Sequence, residues 1–363
     1  MLRAVSHLRI AGLFLLGALA TACAAEPAVG TTDLPTEQIG RVSSAIIDGT
    51  DSEDNQDFVL QLGLETDGAV TPQCSSTLIA KNLLLTARHC VADLDEKTAT
   101  MGPNYEPSRF TVYVGKDGPQ QIENGAEPAA RGKRVITQGT SSMFPDIALI
   151  VLDTELDAPV ATIRLDDGPQ KSELVNVVGF GMNEKNVNVQ VRMQKDDVKV
   201  LALAPEVTQF HTLHAGEFAF GEAACYGDSG GPALSATSNA IVGVASRVNS
   251  GVAGTEAKPN AMCLGAEDVF TSLKPFRALV DSAFAAAGAK PKIEAPLLVV
   301  ATTTKGNTDT QSTAYTNSAV ISAADATSGG CSTTGAPSRT SGAFTALLGL
   351  GLVAIARRRR IAA

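Results

Sequence analysis

No C-x-x-C pair occurs among the six cysteines of this 363-residue chain, at positions 23, 74, 90, 225, 263 and 331. A structural zinc site of the common spacing is therefore not expected. Histidine is scarce. There are four, His7, His89, His211 and His214, and the last three are the only ones outside the leader-like start. No internal repeat is visible, and basic residues are outnumbered: 29 Lys and Arg face 38 Asp and Glu, for a net charge of −9. Much of the positive charge sits at the ends. Residues 1–22 carry Arg3 and Arg9, residues 332–363 carry Arg339 and Arg357 to Arg360, and neither segment holds an acid. Taking that +2 and +5 away from −9 leaves −16 for the rest. Phosphate backbones repel such a body, so nucleic acid is not an expected partner.

The two ends also lack the length to be ordinary membrane spans. "MLRAVSHLRIAGLFLLGALATAC" is a basic start, an apolar run of signal-peptide length and then small residues, the pattern of an export signal over 1–22. Two processing routes stay open. "LATAC" resembles a lipobox, with Cys23 lipidated, and "ACA" at Ala22 to Ala24 resembles an ordinary signal-peptidase site. At the far end the uncharged run Ala343 to Ala356 is 14 residues long, short of the about 20 needed to span a bilayer. Arginines follow it, as in a stop-transfer or sorting tail. With "GGCS" and its Cys331, residues 331–363 resemble the C-terminal sorting signal of myxobacterial surface proteins. Residues 289–330, rich in Thr, Ser, Ala and Gly, bury too little to order themselves and are expected to form a linker.

The middle is a succession of short runs rich in Val, Ile, Leu and Phe, among them "FVLQLGL", "RFTVYVG", "DIALIVLD" and "AIVGVAS", punctuated by Gly, Pro, Asn and Asp. This predicts β-strands. One amphipathic helix follows in "LKPFRALVDSAFAAAG", with Phe276, Leu279, Val280 and Phe284 on one face and Gly288 as its stop. The expectation is an all-β body of about 240 residues, a length suited to two packed barrels, with a C-terminal helix.

Four cysteines remain once Cys23 and Cys331 are assigned to the ends. In an exported chain they are expected to form two disulfides, with three pairings possible. The strand-turn-strand "CSSTLIAKNLLLTARHC" can bring Cys74 and Cys90 together, and a disulfide there would fix the backbone of His89. Closing such a loop contributes about 3 kcal/mol. The string "CYGDSGGPAL" puts Ser229 in a nest of glycines. Glycines there let the backbone turn tightly and a substrate approach closely. Alone, the string reads equally as a surface loop. A serine nucleophile needs a base, and His89, beside a cysteine at the end of an apolar strand, is the candidate. His211 and His214, in "FHTLH", have no such setting and read as ordinary core or surface histidines. The base needs an orienting carboxylate, and Asp146, opening "DIALIVLD", is poorly explained by packing.

The order His89, Asp146, Ser229, with the blocks "IIDGT", "LTARHC", "DIALI" and "CYGDSGGP" and the weaker "GFG", resembles the chymotrypsin-like (trypsin-superfamily) serine proteases over Ile46 to Gly288. The resemblance implies two six-stranded antiparallel β-barrels, a catalytic triad of those three residues, and an oxyanion hole from the amides of Gly227 and Ser229. It implies a 23–45 propeptide, a new N-terminus at Ile46 paired with Asp228, and a Cys225–Cys263 disulfide. It places Ala223, Ser246, Val248 and Asp268 around the specificity pocket. Val248 would narrow the pocket for small residues, whereas the Asp268 carboxylate would attract Lys or Arg. No cofactor and no metal are implied, the partners are protein or peptide substrates, and a monomer is expected. Three departures stand out: Ser75 and Ser76 replace two usual glycines, Arg88 replaces a usual alanine and must find solvent or a partner, and the third disulfide common in the second barrel is absent. The competing function is an inactive homologue serving as a binding module. The expected setting is secreted or at the outer surface of a bacterial envelope, anchored through the termini.

Overall fold

A computed structural model describes residues 46–296, except 96, 140 and 186. Cys23, Cys331, the export signal, the propeptide and the sorting tail lie outside the described residues. Among the described residues no helix is long and apolar enough to cross a membrane.

The first barrel takes six strands in one closed ring. These are β2 (Val59–Thr66), β3 (Ala69–Ala80), β4 (Leu83–Thr86), β7 (Phe110–Tyr113), β8 (Ala130–Ile136) and β9 (Ala148–Leu152), ordered β2-β3-β4-β9-β8-β7. Between them lie the small ribbon of β5 (Ala92–Asp95) and β6 (Thr100–Asn104) and a short helix α1 (Gly118–Glu123). The second barrel is built from β10 (Leu174–Gly179), β11 (Met193–Leu203), β12 (Glu217–Gly221), β13 (Pro232–Ser235), β14 (Ile241–Asn249) and β15 (Glu267–Ser272). A β11–β12 pairing closes its ring, and the two-residue β1 (Thr50–Asp51) adds to β11 outside it. The architecture is the expected pair of six-stranded antiparallel barrels.

The alternating apolar residues of the strands fill the barrel interiors. Leu60, Leu62, Leu78, Leu84, Phe110 and Ile150 lie in the core that includes the first barrel, and Val177, Val200, Phe218, Phe220 and Phe270 in the second. The terminal helix α2 (Arg277–Ala287) follows the second barrel in sequence but packs on the first. Val280, Ala283 and Phe284 join the first core, and Asn82 Nδ2 donates to the carbonyl of Ala287 at 3.0 Å. Gly288 ends the helix at φ 66°, a left-handed C-cap that glycine adopts without a side-chain penalty.

The chain does not leave the body there. Ile293 bridges Ile163 in parallel, and Glu294 N donates to the Ile163 carbonyl at 2.9 Å. The Glu294 carboxylate grips the buried guanidinium of Arg164, which also bonds Glu173 at 2.7 Å. The folded body therefore reaches Glu294, beyond the Gly288 stop after which the linker was expected.

Candidate active site

Strand pairing explains how two distant residues meet. Antiparallel β4 and β9 run in register, Thr86 opposite Ala148. His89 lies three residues past the end of one strand and Asp146 two residues before the start of the other. A single 3-10 turn, Arg88–Cys90, turns the imidazole toward the carboxylate. The Cys74–Cys90 disulfide pins that turn to β3, and Cys225–Cys263 is the second bridge, as expected. His89 Nδ1 lies 2.8 Å from Asp146 Oδ2, and the His89 amide donates to Asp146 Oδ1 at 3.0 Å.

Asp146 is fully buried. Burial alone would raise its carboxyl. The charge and hydrogen bond of His89, a hydrogen bond from Ser246 Oγ and the His89 amide outweigh that, and its pKa lies below the ordinary value. The Ser246 hydroxyl donates to the same Oδ2 that faces His89, at 2.7 Å. Ser246, assigned by resemblance to the specificity pocket, lines the cleft and supports Asp146 at once.

Ser229 comes from the second barrel, in the turn entering β13. Gly230 N donates to the Ala245 carbonyl at 2.9 Å, which sets this turn beside β14 and Ser246. Gly227 has φ 100°, and a Cβ there would sit 2.8 Å from the Gly181 Cα. Only glycine fits such a turn without strain. Among the described residues the amides of Gly227 and Ser229 donate to nothing. His89 and Ser229 line one cleft of about 1270 Å³, with Gly227, Ala224, Tyr226, Met143 and Val248 also in its wall.

Sequence reasoning missed the work of Ser75. Its hydroxyl donates to the Gly227 carbonyl at 2.9 Å and accepts from the Phe180 amide at 3.0 Å, while its own amide donates to the Ser229 carbonyl at 2.9 Å. This departure from the family pattern ties β3 of the first barrel to the turn holding Ser229. A polar side chain where glycine is usual was the one signal that could have found it. Arg88 does not reach solvent: it is only 3% exposed. Burial lowers its pKa, and the nearby Asp146 charge opposes that fall.

The remaining predicted positions form the other side of the site. Ile46 is buried in the second core with Ala223 and Ala224, and the Ile47 amide donates to the Ala223 carbonyl at 2.8 Å. Asp228 accepts from the Gly181 amide at 2.7 Å and from the Cys225 amide at 2.9 Å. A Cβ at Gly179 or Gly181 would collide with that carboxylate, which explains the "GFG" block. Burial pushes the Asp228 carboxyl up to about 7, against the pull of those two amides. Asp268, 1% exposed, gives Oδ2 to the amides of Ala223 and Ala224 at 2.8 and 2.6 Å. Its Oδ1 has no hydrogen-bond partner among the described residues. Burial holds Asp268 well above the ordinary range. Ala223 and Asp268 do not themselves line the cleft; Ala224 and Val248 do.

Donor atoms of Cys74, His89 and Cys90 lie within 4.8 Å of one another. The two sulfurs are bonded to each other and the His89 Nδ1 faces Asp146, so this group is not a ligand set for a metal.

Residues 46–263 match the family model described as Trypsin. The chain is similar to mannan-binding lectin serine protease 1 of Homo sapiens, 30% identical over 178 residues, covering 44% of this chain and 25% of that protein. It thus spans about a quarter of the length of that relative. It is also similar to two proteins of Hypoderma lineatum. Hypodermin-A is 23% identical over 235 residues, 59% of this chain and 81% of that protein. A collagenase is 25% identical over 198 residues, 51% and 69%.

Proposed function

Because the chain belongs to the trypsin family, we propose that it is an active serine endopeptidase, made as a zymogen, exported, and held at the cell surface. The observation that carries this reading is the 2.8 Å contact of buried Asp146 with His89, which lines the same cleft as Ser229. Ser229 Oγ attacks the peptide carbonyl while His89 accepts its proton, and the amides of Gly227 and Ser229 receive the developing oxyanion. The C–N bond breaks as His89 delivers the proton to the leaving amine. Water, deprotonated by His89, then attacks the acyl carbon, and His89 returns that proton to Ser229 Oγ as the ester bond breaks and the acid leaves. Asp146 holds the imidazole in one tautomer throughout. Two disulfides suit the oxidising setting that this reading requires.

Two observations support activation at the Ala45–Ile46 bond. Ile46 is a β-branched residue at φ 69°, a genuine backbone outlier. Asp228 is a buried carboxyl with no cation among its described partners. Cutting before Ile46 removes the carbonyl that defines the strained torsion and supplies an ammonium for Asp228. Cleavage after Ala45, a small residue, fits a pocket narrowed by Val248 and lets the enzyme mature itself. The unpartnered Oδ1 of Asp268 favours a second reading, a preference for Lys or Arg. In both readings Cys23 and the segment from Cys331 onward serve as anchors.

A fluorophosphonate probe and N-terminal sequencing test the proposal together. The processed chain labels, the Ser229→Ala chain does not, and the processed form begins at Ile46. An unlabelled processed chain would leave a binding module in place of the enzyme. A form that begins at Val42 and cuts only after Lys or Arg would make Asp268 the specificity determinant.

A further inference from the structure

Near the loop that carries Asp146, Phe144, His214, Glu217 and Arg247, from three parts of the sequence, close into a ring whose one main-chain link is at His214. Glu217, at the start of β12, is buried, and its carboxylate takes both terminal nitrogens of Arg247, at 2.5 and 2.8 Å. Glu217 Oε2 also accepts the His214 amide at 2.7 Å, and the Glu217 amide returns a bond to the His214 carbonyl at 2.9 Å. The Arg247 guanidinium sits over the Phe144 ring, 4.8 Å from its centroid. That same ring stacks on the His214 imidazole, with centroids 3.7 Å apart and planes 20° from parallel.

The ring lies close in sequence to Asp146 and to one of its two side-chain partners. Phe144 lies two residues before Asp146 in the first barrel, and Arg247 directly follows Ser246, whose hydroxyl shares Asp146 Oδ2 with His89. Phe144 thus joins the Asp146 loop directly to His214 and Arg247, and through them to Glu217. A shift of the loop would lose both bonds to Oδ2 at once. Glu217 has a second effect. Its fork fixes the direction of the Arg247 guanidinium, which lines the cleft. The other charged groups facing the site are Arg88 beside Asp146, and His211 and Glu267 near Arg247 and Glu217.

We propose that Glu217, Arg247, Phe144 and His214 are positioning residues that set Asp146 for the reaction. The inference rests on the triad reading above. It gives His214, read from sequence as an ordinary histidine, a place in the machinery.

The test uses the processed enzyme and a substrate whose acyl side carries a single residue, too short to reach Arg247. Rates are expressed per active site, counted by the fluorophosphonate probe, so misfolded protein is not scored. Phe144→Leu and Glu217→Gln are expected to lower kcat about 10- to 100-fold. KM should stay within about twofold. The acid limb of the pH–rate profile should move down by about half a unit, because a displaced Asp146 stabilises the imidazolium less. Phe144→Tyr, which keeps the ring, should recover most of the rate, and the double variant should fall little below either single one. Unchanged kcat and acid limb in both single variants would overturn the proposal, as would a change in KM alone. Asp146→Asn is the control. If it loses little activity, the triad reading itself fails, which is distinguishable from failure of the ring.

Discussion

Asp146 and Asp228 are both buried aspartates at one cleft, yet among the described residues only Asp146 has a partner that can carry positive charge. Asp146 collects the His89 ring, the His89 amide and the Ser246 hydroxyl, and its pKa is held down. Asp228 collects two backbone amides, and burial wins, at about 7. Asp268, on the same side as Asp228, is raised in the same direction by burial, and the charge of Asp228 adds to its rise. On the His89 side of the cleft the acid already has its partners in the uncut chain. The side proposed to read the substrate stores buried acids that have no cation among their described partners.

Asp146→Asn should break the His89 side most severely. The amide keeps the shape but favours the wrong imidazole tautomer, and kcat should fall about 10,000-fold. Steady-state kinetics per titrated site would measure this.

Asp228→Asn should separate uncut from cut chain. In the uncut form Asp228 lies near 7, above the about 3.9 of an exposed aspartate. Its neutral form favours the fold fully at acid pH, and that contribution is lost as pH rises through about 7. The loss amounts to roughly 4 kcal/mol across the window. Uncut Ser229→Ala protein should therefore melt lower at pH 8 than at pH 5, beyond what a second Asp228→Asn change leaves. In the cut enzyme Asp228→Asn should instead lower activity. Denaturant melts at the two pH values, on both forms, would check the sign.

A smaller effect is expected of Ser75→Gly, which restores the residue usual in the family. It removes the hydroxyl bridge between the Gly227 carbonyl and the Phe180 amide, at a cost of about 1 to 3 kcal/mol in stability. kcat should fall more than KM rises, because the turn under the oxyanion amides is loosened. An unchanged kcat would show that the turn holds without the first barrel.

The strands, the terminal helix and the cysteine bridge beside His89 were legible because they depend on local pattern and spacing. His89, Asp146 and Ser229 were legible because short motifs carry them. The rest depends on partners that no local pattern announces. Ser75 meets Gly227 across 152 positions and Ser246 meets Asp146 across 100. Arg88 reads as a charge that needs solvent or a partner, and nothing in its neighbourhood announces that Asp146 lies near it. The Glu217–Arg247–Phe144–His214 ring has no periodicity at all. Residues 289–294 read as linker because their fixing partner, Arg164, lies on the far side of the second barrel's sequence.

That last attachment decides where a pull on the C-terminal end would be felt. Force applied to the chain beyond Glu294 does not first unwind α2. It loads the Glu294–Arg164 fork and the parallel Ile293–Ile163 bridge. Ile163 itself bridges Ile241 at the start of β14, the strand that carries Ser246. The ion pair and the bridge act as a strain relief: tension reaches the segment joining the two barrels and stops there while both hold. An Arg164→Ala chain stretched from its C-terminus should give way at lower force, starting with α2.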